Sequence, residues 1–228
     1  MALVLIGLAV GVSLGILWFQ YQAKQKRRRE LFAFATGLGL DFSIVDPFDT
    51  VSFPWAFFKK GSSQKVQNVV WGQHRGRKIR LFDYSYVVSD GKNSQTYTFS
   101  AALVQLPFDG DHLSLSPEGF GSWLAGHFGH ADLQFEYDEF NRAFHVRCPD
   151  QRFAFAVLDG AMMQWLVDAD RPVQLEIGGP LVLVLFKRMP PAEWNGMLSW
   201  VDGFAAHVPE VVSSLYPMAG GEDGGGTR

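Results

Sequence analysis

The chain opens on an uncharged run, Ala2 to Phe19, and five bases, Lys24, Lys26, Arg27, Arg28 and Arg29, follow it. Continued to Tyr21, a helix over this run is about 30 Å long, which matches the hydrocarbon core of a bilayer. Eleven of its residues are Leu, Ile, Val or Phe, so insertion into lipid gains about 3 to 6 kcal/mol. A cleavable signal peptide needs positive charge before the apolar run and a small-x-small site after it, a pattern this segment lacks. The expectation is a signal anchor, single-pass in the cell membrane. With the bases on its carboxyl side, the amino terminus lies outside and the domain in the cytoplasm. Trp18 and Tyr21 fall where an interfacial aromatic belt belongs.

Gly7, Gly11 and Gly15 recur every fourth residue of this helix and share one stripe. Helices in lipid associate through such close backbone approach, so the stripe suggests a homodimer or a partner transmembrane helix. Its alternative is that glycine is simply common in membrane helices. The five flanking bases fix topology and are candidates for contact with anionic lipid.

Beyond Glu30 the balance reverses: residues 31–228 hold 15 bases and 22 acids, a net charge of −7. Nucleic acid is excluded as a general partner on that ground. The single Cys148 forms no internal disulfide, which agrees with a reducing compartment. The remaining length, rich in Phe and Trp, suffices for one core. The expected organisation is a transmembrane helix over 1–23, a basic juxtamembrane helix over 24–40, an α+β domain over 41–217 and a disordered Gly-rich tail over 218–228.

Within the domain, alternation predicts strands at 42–45, 69–71, 79–88 and 95–106, with a short one at 113–115. The turns are His74-Arg-Gly-Arg77 and Ser89 to Ser94. A short helical piece is expected at 120–128. Leu133–Tyr137 and Ala143–Arg147 read as a strand pair, and Asp150 as the cap of a helix broken at Asp159-Gly160. Val173–Ile177, Gly178-Gly-Pro180 and Leu181–Phe186 read as a hairpin whose second arm is a central strand buried on both faces. Pro190-Pro191 should start a last helix with Trp194, Met197, Leu198, Val201, Phe204 and Val208 on one stripe. Phe53, Trp55, Phe57 and Phe58 read as core filling under a long loop. The class is α+β, one mostly antiparallel sheet with packed helices behind an N-terminal transmembrane helix.

The segments Asn68-Val-Val-Trp-Gly-Gln-His-Arg-Gly-Arg77, Phe82-Asp-Tyr84, Glu139-Phe-Asn-Arg-Ala-Phe-His-Val146, Arg152-Phe-Ala154 and Met162-Met-Gln-Trp-Leu166 resemble a group of uncharacterised actinobacterial single-pass membrane proteins. These carry a bacterial domain of unknown function. The resemblance implies a membrane-tethered domain and transfers no activity to any residue.

Motifs for chemistry are sparse. His127, His130 and Asp132 are ligand types without the third or fourth partner that a zinc site needs. His145 and Cys148, three apart on a strand, point to opposite faces. No catalytic residue, metal or cofactor is expected. Seven bases, Lys59, Lys60, Lys65, Arg75, Arg77, Lys78 and Arg80, lie within 22 residues with no acid between them. Such a patch suits lipid headgroups or an acidic partner, or else is an ordinary solvated hairpin edge.

The expected function is therefore a membrane-anchored cytoplasmic interaction or accessory module, non-enzymatic, binding an unknown protein partner or steadying a membrane complex. The alternatives are an anionic-lipid or small-ligand sensor using the hairpin 59–80, on a barrel like the pleckstrin-homology fold, and a membrane-tethered hydrolase.

Overall fold

The computed structural model describes residues 2–117, 132–169 and 171–218, with side chains described from Gly11 onward. Its first element, α1 (Ala2–Gly37), is a single 36-residue helix with no proline to interrupt it, about 54 Å long at ~1.5 Å per residue. The stretches expected as anchor (1–23) and as the juxtamembrane helix that continues from it (24–40) are one uninterrupted helix as far as Gly37. It ends in a Schellman motif: Gly39 takes φ +66°, the Leu40 N–H donates to the Ala35 carbonyl at 2.9 Å, and the Gly39 N–H donates to that of Thr36 at 3.2 Å. Leu40 then settles over Gly72, where a Cβ would lie 2.8 Å from its Cδ2. Among the described residues, no helix is long and apolar enough to cross a membrane. Met1 to Val10, which carry half of the apolar run, lie outside the described side chains.

The sheet has six strands: β1 (Asp41–Val45), β2 (Ser62–His74), β3 (Arg77–Ser89), β4 (Ser94–Pro117), β5 (Phe144–Arg147) and β6 (Gln174–Lys187). They pair antiparallel in the order β1-β2-β3-β4-β5, with β6 also on β4. Among the described residues the pairing path is open and does not close into a barrel. Arg75 and Gly76 both take positive φ, 49° and 77°, the twist that a two-residue hairpin turn needs to join β2 to β3. The next turn is held by Asp90, whose carboxylate accepts the Lys92 and Asn93 N–H groups.

Three expectations are corrected. The strands expected at 95–106 and 113–115 are one long β4, and the hairpin expected at Gly178-Gly-Pro180 is one long β6 running beside it. The two strands bend together, with register breaks around Gly110 opposite Gly179. The Gly-Gly-Pro sequence bends β6 without reversing it, because β4 supplies hydrogen-bonding partners on both sides of the bend. As a result Val182–Phe186 is buried on both faces, with Leu181 half-buried, but sits at the sheet's edge, paired with β4 alone. Third, Leu133–Tyr137 is not a strand. The Asn141 side chain grips the backbone N–H and C=O of Phe135 at 3.0 and 2.7 Å, and the residues expected to turn form α2 (Asp138–Ala143), with two acids in its first turn.

The remaining helices are α3 (Gln151–Val157), α4 (Gly160–Asp168), α5 (Trp194–His207) and α6 (Glu210–Leu215). Asp150 and Asp159 cap α3 and α4 by accepting the Arg152 and Met162 N–H groups at 2.8 Å. These helices and the second half of α1 cover one face of the sheet in a large core that includes Leu31, Ala35, Trp194, Met197 and Phe204. Trp55, Phe57 and Phe58 form a smaller core on the opposite face against Phe82, Tyr84 and Tyr86, as core filling predicts. Both outer faces of β3 and β4 are therefore covered. The pieces expected at 120–128 and in the glycine-rich tail lie outside the described residues.

Candidate functional site

Two features meet where α1 joins the sheet. Up to Tyr21 the described part of α1 is exposed on every side: Val12, Leu14, Ile16, Leu17, Trp18 and Phe19 are 52 to 70% exposed. Among the described residues, nothing beyond the helix's own backbone and the adjoining residues lies within 4 Å of a Cβ placed on Gly11 or Gly15. Gly7 lies outside the described side chains. Two turns later the same helix is locked into the domain.

The lock is Arg27, counted from the sequence as a lipid or partner contact and here committed to the interior. Its Nε and Nη2 donate to both oxygens of Asp83 on β3, at 2.8 and 2.5 Å, and its Nη1 donates to the Met189 carbonyl at 2.8 Å. The guanidinium also lies 5.9 Å from the Trp194 ring centre. Asn68 completes the arrangement by donating its Nδ2 to Asp83 at 2.8 Å. It can reach because β2 bulges between Gln67 and Val70 and Asn68 itself takes φ +54°, a conformation Asn tolerates better than most residues. With both partners nearly buried, the two-pronged geometry and the extra donors offset desolvation of the charges. The Asn68 amide is held in one orientation, so its Oδ1, fully enclosed, meets no donor. Arg28 likewise keeps a buried Nε without a partner.

Beside the lock is a cleft of about 300 Å³ lined by Gln20, Ala23, Lys24, Arg27, Gln67, Asn68 and Arg188. It lies between α1, β2 and the end of β6. No carboxylate lines it. Lys24 and Arg188 form no ion pair or hydrogen bond among the described residues.

The basic hairpin does not form one patch. Strand alternation sends neighbouring bases to opposite faces of the sheet. Arg80 lies over the Phe48 ring at 3.7 Å and donates to Thr50 Oγ1 at 3.1 Å; burial lowers its pKa, against the pull of Asp46. Lys60 lies 5.4 Å from the Tyr86 ring centre, and burial lowers its pKa too. Arg75 turns the other way, to Asp202 on α5 at 3.1 Å, where His74 Nε2 also meets Asp202. Arg77 borders a separate hollow with Gln105 and Met218. Lys78, Lys26 and Arg29 are exposed, and Lys26 is 3.8 Å from Glu30.

The sequence-marked chemical residues are placed as follows. His127 and His130 lie outside the described residues. Asp132 takes His145 Nδ1 at 2.7 Å and the Val146 N–H at 2.8 Å. Cys148 is buried, its Sγ donates to the Asp150 carbonyl, and burial pushes its thiol up to about 12. A thiol so disfavoured as thiolate is a poor nucleophile. Among the described residues no group of three or more His, Cys, Asp or Glu side chains could hold a metal. The sequence reading missed a buried carboxylate, Glu176, which accepts the Ala56 and Phe57 N–H groups and meets His112 Nε2. It ties the aromatic loop to β6. Nothing in its local pattern, one acid in an apolar strand, distinguished it from a solvent-facing residue.

No family model matches the chain, and no curated protein matches it. Among solved structures, the chain is similar to the mycobacterial trehalose monomycolate transport factor A, TtfA, with a TM-score of 0.58 and 15% identity. The match covers 85% of this chain and 97% of that one. At that identity the likeness shows a shared fold, which extends over nearly the whole of the transport factor.

Proposed function

We propose that the chain is a non-enzymatic, membrane-anchored accessory module that serves a transport-associated membrane complex and holds its α+β domain against the cytoplasmic face. One observation carries this reading: a helix apolar on all sides is left bare while its continuation is fixed in the domain core. Apolar side chains without a protein partner are stable in lipid and costly in water. With Ala2 to Val10 included, the apolar run is long enough to span a bilayer, and the bases after it orient the domain inward. The transport-associated role is supported by the shared fold with a transport factor.

The test is alkaline extraction of membranes carrying the full chain, followed by purification in mild detergent. The chain should stay in the membrane pellet, deletion of residues 2–19 should release it, and a membrane-protein partner should co-purify. Release of the full chain at alkaline pH overturns the anchor. Purification as a lone monomer overturns the accessory role.

A further inference from the structure

The geometry points to the cleft between α1 and β2 as a binding site for a phosphate ester that carries a hydroxyl beside its phosphate, the chemistry of a glycerol- or inositol-type phospholipid headgroup. The inference rests on the anchor reading above for the cleft's depth in the membrane, and otherwise on the cleft itself.

Three observations converge. First, the charge is contrary to the domain's: residues 31–228 are net −7, yet Lys24, Arg27 and Arg188 line the cleft and no acid does. Arg27 is balanced by Asp83, which leaves Lys24 and Arg188 as two uncompensated cations facing one space, a setting that attracts a phosphate. Second, the wall residue Asn68 is 2% exposed, and its Oδ1 lacks a donor while its Nδ2 is committed to Asp83. A buried acceptor left unpaired is costly. A hydroxyl of the bound ester, donated from the cleft that Asn68 lines, supplies the missing hydrogen. Gln20 and Gln67 add further amide groups to the same wall. Third, Gln20, Ala23 and Lys24 begin one residue past Phe19, so an anchor ending there places the cleft mouth at headgroup level, beside Trp18 and Tyr21.

The experiment uses the full chain in phosphatidylcholine nanodiscs with phosphatidylinositol as probe. Retained phosphatidylinositol is counted by native mass spectrometry after gentle release. Wild type should retain it, and the double variant Lys24→Gln/Arg188→Gln should bind about 30-fold more weakly, the loss expected for two cations near a lipid surface. A control, Lys92→Gln/Arg142→Gln, removes equal charge elsewhere and should bind as wild type. Inositol 1-phosphate titrated into the chain in phospholipid-free micelles separates the sources. Binding there as tight as in nanodiscs, and lost in the double variant, assigns the site to a free phosphate ester; binding in nanodiscs only assigns it to the lipid. Equal retention by wild type and the double variant overturns the site, as does an equal loss in the control. Alkaline extraction of the same proteins keeps the two readings apart: a wild type that stays membrane-bound but shows no difference from the double variant defeats the cleft alone.

Discussion

The two halves of α1 are made of one continuous helix and live in different surroundings. From Gly11 to Tyr21 every described large side chain faces outward. From Arg27 to Gly37 one stripe is buried: Leu31 and Ala35 sit in the core and Phe34 packs edge-on to Trp194, while Arg29, Glu30 and Phe32 remain exposed. The second half has the one-sided pattern of a helix folded onto a protein, and the described residues of the first carry apolar side chains on every side. Arg27 stands near the border, and its pair with Asp83 converts a helix in passing contact with the sheet into part of the domain.

Breaking that border should have the largest effect. Asp83→Ala leaves Arg27 buried without a counter-charge and should cost about 3–5 kcal/mol, read by denaturant unfolding of the full chain in micelles with tryptophan fluorescence. A loss no greater than that of a surface substitution would mean that the pair is solvated. Leu31→Ala should cost about 2–5 kcal/mol in the same assay, whereas Leu17→Ala should fall within about 0.5 kcal/mol of wild type, as substitutions away from any packed feature do. If the two costs are alike, the contrast between the halves is void. Val12→Asp should reverse the order, weakening membrane integration by about 2.5–3.5 kcal/mol without moving the unfolding midpoint of the domain. Alkaline extraction reads the first effect, and unchanged extraction would place Val12 outside the bilayer.

Smaller effects sharpen each half. Replacing Gly11 and Gly15 by Leu should reduce crosslinked pairs in membranes if the stripe seats another helix; an unchanged crosslinking yield would leave the glycines as composition only. In the domain, burial raises the Cys148 thiol from 9.0 to about 12 and the Tyr86 phenol from 10.0 to about 12. A raised acid is held neutral by the fold, so its contribution is complete below the unfolded value and is lost as pH climbs to the folded one. Stability should therefore decline between about pH 9 and 12, and Cys148→Ala should flatten the lower part of that slope. An identical slope in the variant would remove the thiol as a contributor.

Local chemistry made much of the fold legible. The Arg75-Gly76 turn, the Asp150 cap, the helix break at Asp159-Gly160, the stripe of α5 and the aromatic packing of Trp55, Phe57 and Phe58 follow from residue types at fixed spacings, and the structure has them. What failed depended on a partner far away in sequence. Gly178-Gly-Pro180 has the composition of a turn, but β4 holds the chain straight on either side of it. Asn141 replaces strand pairing at Phe135 through its own side chain. The lock was illegible for the same reason: Arg27 reads as one of five juxtamembrane bases, and its acid stands 56 residues on. The basic hairpin is a case where nearness in sequence is not nearness in space: Arg75 pairs with Asp202 on α5, while Arg80 packs on Phe48 and Thr50.

A helix of 36 residues without a break, fastened to the sheet at Arg27 and running bare before it, behaves as a shaft with the domain keyed to one end. No break in the helix separates them. Any rotation or tilt imposed on the bare end, by lipid or by a neighbouring helix, turns the sheet through the same angle, and a force on the sheet returns along the same shaft.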